Sequence, residues 1–218
     1  MADPQKLDLK KQLKHLYLPS AKEAALVDVP EMQFAMIDGQ MEAGVMPGDS
    51  PSFAAAIGAL YGLSYTLKFV SKKRPVDPID YTVMTLEGLW TTPSGGFDYT
   101  ETGQWLWTLM IMQPDHISRE MFEAAQAQLQ AKRLKEGEDP ESIERVRLER
   151  FTEGLAVQCM HVGPYIEEPR TLDRMAAFAE AQGYRYRGRH HEIYLGDPRT
   201  AKPENLRTVL RHPVEPAA

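Results

Sequence analysis

A chain of 218 residues, 43% hydrophobic and 26% charged, carries enough apolar material for one large core or two small ones, which excludes disorder. Its 31 acidic and 25 basic residues leave a net charge of -6, so the overall field disfavours broad attraction to nucleic acid or to an anionic membrane. The longest apolar stretches, Phe53 to Leu67 and Leu106 to Met112, fall short of the roughly 20 residues that span a bilayer. The charged start, Met1 to Lys14, lacks a signal-peptide pattern, so a cytoplasmic location is expected.

In chain order, residues 1–28 read as an N-terminal arm in which Leu13, Leu16 and Leu18 pack a short helix or an extended segment onto the body. Alternation predicts a first strand from Gln33 to Gln40, broken at Asp38-Gly39. Turn chemistry from Gly44 to Pro51 follows, with Ser52 as the expected cap of a helix from Phe53 to about Ser71. Two strands come next, Tyr81 to Trp90 and Trp105 to Gln113, so residues 29–114 read βαββ. Residues 115–150 are rich in Glu, Gln, Lys, Arg and Ala and read as two surface helices, the second built on Ser142, Ile143, Val146 and Leu148. The first pattern then returns over residues 151–218: a strand from Gly154 to Val162, a helix from Thr171 to Gln182, and strands from Tyr184 to Leu195 and from Asn205 to Pro213. The expected fold class is α+β: one domain over 29–218, made of two tandem βαββ modules related by a pseudo-two-fold, with antiparallel sheets forming a central ligand cleft and a helical insertion between modules.

Period-two spacing places Tyr184, Tyr186, His190, Glu192 and Tyr194 on one strand face and Arg185, Arg187 and Arg189 on the other. A carboxylate among aromatic rings is costly unless it is paired, protonated or met by a cationic ligand, so Glu192 is the first catalytic candidate beside the plainer reading of a salt bridge. Glu87 holds the matching place in the first module, and a pseudo-two-fold would let the two acids face one cavity. Trp90, Trp105 and Trp107, with Tyr99 in the hairpin connection and Tyr165 after Gly163-Pro164, are candidate walls for a flat or cationic molecule, although core packing explains at least one of the tryptophans. Glu167 and Glu168 precede a helix and read as favourable charges at its positive end. Cys159 is the only cysteine, His190 and His191 point to opposite faces, and no HExxH, P-loop or dinucleotide fingerprint occurs, so neither metal nor cofactor is expected.

These motifs resemble the GyrI-like small-molecule-binding family, in particular its stand-alone members, over nearly the full length. The resemblance is carried by Val29-Pro30-Glu31-Met32, by the run from Leu60 to Phe69, by Leu86-Glu87-Gly88-Leu89-Trp90 and by Trp107 to Pro114. It continues in His161-Val162-Gly163-Pro164-Tyr165 and, most specifically, in His190-His191-Glu192-Ile193-Tyr194-Leu195 with Asp197-Pro198-Arg199. It implies two βαββ modules around an aromatic-walled cleft. It further implies either a hydrolase that opens cyclopropanoid DNA alkylators or a protein that binds or senses cationic aromatic compounds without turning them over. Glu192 would activate water or polarise the strained ring, Glu87 would assist, and Trp90 and Tyr194 would hold the ligand. The family often has a second tryptophan after the position of Trp90, where this chain has Thr91.

Overall fold

The computed structural model describes residues 3–42, 44–97 and 105–217. In chain order the elements are β1 (Gln5–Leu7), α1 (Leu9–Gln12), α2 (Lys14–Tyr17), β2 (Ala25–Val29), β3 (Met32–Gln40), α3 (Pro51–Lys72), β4 (Ile79–Tyr81), β5 (Leu86–Thr91) and β6 (Leu106–Gln113). Then follow α4 (Arg119–Lys135), α5 (Glu141–Glu144), β7 (Arg147–Phe151), β8 (Gly154–Val162), α6 (Pro169–Ala181), β9 (Tyr184–Tyr186), β10 (His190–Tyr194) and β11 (Arg207–Pro216). Nine strands form one antiparallel sheet in the order β2-β8-β11-β10-β5-β6-β3-β7, with β9 on the far end of β11, and β1 and β4 make a separate parallel pair. In each half the hairpin lies beside the strand that opens it, and the halves meet where β5 pairs antiparallel with β10.

Helix α3 begins at Ser50, whose Oγ accepts from Phe53 N at 3.1 Å with Pro51 in the first turn, so the cap is Ser50 and not Ser52. By length and composition alone its 22 residues would cross a membrane. Here Phe53, Ala56, Ala59, Leu60, Leu63 and Leu67 form a buried stripe that packs on β3 and β6. Helix α6 packs on β8, β9 and β11. Helix α4, capped by Ser118, lies against the outside of α3, where Gly62 lets Leu129 approach closely.

Several expectations are corrected. The arm contributes β2, which pairs with β8 along the sheet edge. The segment read as one strand from Tyr81 to Trp90 is broken, because Ile79–Tyr81 pairs with β1 and the sheet strand starts only at Leu86. The second insertion helix is a single turn, and Arg147–Phe151 is an edge strand on β3. Leu148 faces inward there, while Arg147 and Glu149 pair with each other and Arg147 also reaches Asp38, the charged edge that a helical template cannot register. Gly39 does not end its strand. It lies inside β3 opposite Trp107, and only glycine fits there because a Cβ would overlap the Trp107 ring.

Candidate functional site

Directly paired residues share a face of the sheet, and the register sets Glu192 opposite Gly88 and His190 opposite Trp90. Glu192, His190, Tyr194, Gly88 and Trp90 therefore floor one face on β5 and β10, between the areas mainly covered by α3 and α6. Trp90 Nε1 donates to Tyr194 Oη at 3.1 Å, and the Tyr194 hydroxyl donates to Glu192 Oε2 at 2.8 Å. Gly88 is required beneath this pair, because a Cβ would lie 2.9 Å from Trp90 Nε1 and 3.2 Å from Tyr194 Oη. Phe53 stacks on Trp90 with ring centroids 5.6 Å apart and meets Trp107 edge-on at 5.4 Å, and Trp105 meets Trp90 edge-on at 5.9 Å. Trp90, Trp105 and Trp107 thus form one aromatic cluster, with Trp107 at its buried end. Tyr99 lies outside the described residues. The Glu192 side chain retains 12% exposure, so the floor is nearly closed in this structure.

The second acid of the site is Glu168, which immediately precedes α6. Its side chain makes no capping hydrogen bond, it is only 7% exposed, and among the described residues its Oε1 has no hydrogen-bond partner. Burial, and then the charge of Glu192, push its carboxyl well above the usual carboxylate range; nearby Thr208 tempers the rise, although its hydroxyl makes no hydrogen bond of standard geometry. The Tyr165 ring meets the Tyr194 ring edge-on at 6.1 Å. Burial and the charges of Glu168, Glu192 and Asp197 raise Tyr165 to about 12. Glu168 is therefore a buried acid raised in part by Glu192, and not simply a charge that favours the positive end of the helix. One signal was available, since glutamate is a poor N-cap while Pro169 fixes Glu168 in that position.

Glu87 does not share this face. It pairs with Ile193 in register and lies beneath the sheet, fully buried, where Tyr17 Oη donates to Oε1 at 2.7 Å and His191 Nε2 lies 3.0 Å from Oε2. His191 Nδ1 is 3.0 Å from Glu153 Oε2, which also accepts from Arg211 Nη1 at 3.2 Å, and Arg211 Nη2 donates to Leu16 O at 2.6 Å. The network clamps the α2 segment to the sheet. Burial opposes the charge on Glu153, but His191 and Arg211 overcome it and hold the carboxyl at about 2. Burial likewise opposes the His191 cation, and Glu153 and Glu87 raise it above its ordinary value. Thr91 is on this same under-face, its hydroxyl donating to Gly96 O at 2.8 Å, so threonine there removes nothing from the aromatic wall. Among the described residues no cluster of His, Cys, Asp and Glu is arranged to hold a metal ion. Two cavities lie elsewhere: one of about 470 Å³ between β8 and α6, where Arg170 and Arg174 are engaged with backbone carbonyls, and one of about 130 Å³ beside Glu153.

The GyrI-like small molecule binding domain pattern matches residues 23–215. The chain belongs to the GyrI-like family. An uncharacterised conserved protein from Listeria innocua is 39% identical, with 96% of this chain and all of that one covered at a TM-score of 0.84. A protein from the same organism described as a hydrolase is 38% identical over 97% of this chain and all of its own, at a TM-score of 0.83. The C-terminal domain of EcmrR, 13% identical with 89% of this chain and 98% of that one covered at a TM-score of 0.52, shares the fold. No curated protein matches the chain. This GyrI-like domain is thus a small-molecule-binding domain; Glu192, Tyr194 and Trp90 share one sheet face, and Glu168 lies at the start of α6.

Proposed function

We propose that this GyrI-like protein is a hydrolase that opens the strained ring of flat, cyclopropane-bearing electrophiles of the cyclopropanoid DNA-alkylator type. The observation that carries the reading is the hydrogen-bonded chain from Trp90 through Tyr194 to Glu192, with the buried carboxyl of Glu168 in the field of Glu192. Burial and the charge of Glu192 raise Glu168, and the two acids divide the work: the proton resides on Glu168, and Glu192 serves as the acceptor. Water attacks the ring carbon and gives its proton to Glu192. The ring carbon–carbon bond breaks, its electron pair moves through the conjugated system to the carbonyl oxygen, and that oxygen takes the proton from Glu168. Return of the proton from Glu192 to Glu168 resets the site. The tryptophans stack on the flat ligand, and the closed floor keeps the electrophile from bulk nucleophiles. The two βαββ modules, related by a pseudo-two-fold about the β5–β10 junction, supply the wall from the first module and both acids from the second.

The test is to incubate the protein with a cyclopropanoid alkylator and follow the ring-opened water adduct by mass spectrometry. Turnover that falls by about a hundredfold or more in both Glu192→Gln and Glu168→Gln supports the reading. Tight stoichiometric binding without product replaces it with the second reading, capture of a cationic aromatic compound. That alternative is favoured by one feature, the Glu192 carboxylate held by Tyr194 beside Trp90.

A further inference from the structure

His190 is a side chain that the acid pair leaves unexplained. It opens β10 on the same face as Glu192 and is fully buried, yet among the described residues neither ring nitrogen has a hydrogen-bond partner. Its plane is fixed by Phe97, stacked at 4.4 Å and 22°, and by His212, 5.6 Å away, which itself stacks on Tyr186 at 4.0 Å. The charged or titratable groups that face it are Glu192 on its own strand and His212 on β11, and burial together with His190 holds His212 at about 3, in the neutral form. Leaving both nitrogens of a buried imidazole unmatched is costly, so the ring calls for an explanation. The His190 Nε2 atom lies 3.5 Å from Glu192 Oε1, the carboxylate oxygen that Tyr194 does not engage.

We propose that His190 is the positioning residue of the acid pair, its Nε2–H donating to Glu192 Oε1 while Tyr194 holds Oε2. This rests on the hydrolase reading above for its catalytic consequence, though not for its geometry. The two tautomers are unequal here. A hydrogen on Nδ1 would bury an orphan donor against the aromatic stack, whereas a hydrogen on Nε2 points at a carboxylate and leaves only an unmatched acceptor. Closing 3.5 Å to an ordinary N–H···O separation of about 2.9 Å needs a shift of roughly half an ångström, and catalytic hydrogen bonds commonly tighten in this way once substrate is bound. With a donor on each oxygen the Glu192 carboxylate cannot rotate, and its remaining lone pairs are directed at the attacking water.

Two measurements decide this. In the free, uniformly 15N-labelled protein, long-range 15N–1H correlation spectra, with His190 assigned by loss of its signals in His190→Gln, are expected to show the hydrogen on Nε2. A ring protonated on Nδ1 alone overturns the proposal, whether or not the protein turns anything over. In the alkylator assay, His190→Phe keeps the stack on Phe97 and removes the donor, and is expected to lower kcat on the order of 10- to 100-fold with little change in KM. His190→Gln, whose amide nitrogen stands near the Nε2 position, is expected to recover much of that loss. Full activity in the Phe variant, or equal loss in both variants with unchanged melting temperatures, overturns it. If the wild-type protein lacks turnover, the hydrolase reading fails and the tautomer measurement still decides the role of His190.

Discussion

Glu168 and Gly88 illustrate how the proposed site runs against local stability. Glu168 is raised by burial and by Glu192, so it binds its proton more tightly in the folded than in the unfolded chain. Its contribution to stability is complete below the unfolded value of about 4.5 and declines as pH rises from there through the folded value. Glu168→Gln is therefore expected to raise the melting temperature at neutral pH and to flatten its decline above pH 4.5, while abolishing turnover. Thermal melts from pH 4 to 8 check this, and an unchanged pH profile would mean that the acid is not buried against Glu192. Gly88→Ala places a methyl group 2.9 Å from Trp90 Nε1 and is expected to break the Trp90–Tyr194 contact. A shift of that kind near reacting groups costs about tenfold or more in kcat/KM, readable in the alkylator assay.

At the level of elements, the α2 segment and β10 are held together by a charged network in the core. Tyr17, Glu87, His191, Glu153 and Arg211 are all at most a few per cent exposed. Removing one partner strands its neighbour's charge, so His191→Ala is expected to cost about 3–5 kcal/mol in denaturant unfolding. The pH signs differ for the two titrating members. His191 is raised, so its contribution is full below about 6.5, the unfolded value, and is lost as pH rises through the folded value. Glu153 is depressed to about 2, so its contribution is present above the unfolded value of about 4.5 and is lost as pH falls toward 2. Wild-type stability is expected to decline on both sides, and in His191→Ala the alkaline decline due to this residue should disappear. The same network explains why Glu87, although a buried acid, does not belong to the site: its carboxyl is engaged by Tyr17 and His191 beneath the sheet.

For the whole molecule, the β5–β10 pairing and the under-face network join the two halves. Residues 1–114 alone would expose the edge of β5, a strand buried from Leu86 to Trp90, and residues 115–218 alone would leave Arg211 and Glu153 without the segment that covers them. Each half expressed separately is expected to aggregate or stay unfolded, and co-expression to restore a folded complex, as judged by size-exclusion chromatography and circular dichroism. Two independently folded, soluble halves would contradict the shared core.

The sequence by itself determined what depends on near neighbours along the chain. Hydrophobic period and Gly-Pro punctuation placed α3, α6, β3, β6, β8 and β11 to within a few residues, and period-two spacing put His190, Glu192 and Tyr194 on one face. Where a strand is short or charged, as in β2 and β7, periodicity carries too little signal and pairing partners decide. The second acid carries only one local mark, a glutamate held at the N-cap by Pro169, which does not say what it meets. Glu87 matched Glu192 in element order, but a strand's face follows from its register with the neighbouring strand, and register with β10 sends Glu87 beneath the sheet. Glu168, 24 positions before Glu192, reaches it only because α6 folds back over the sheet face that carries β8 and β11. Which acids meet is a long-range property of strand order and helix packing, and only the tertiary structure sets it.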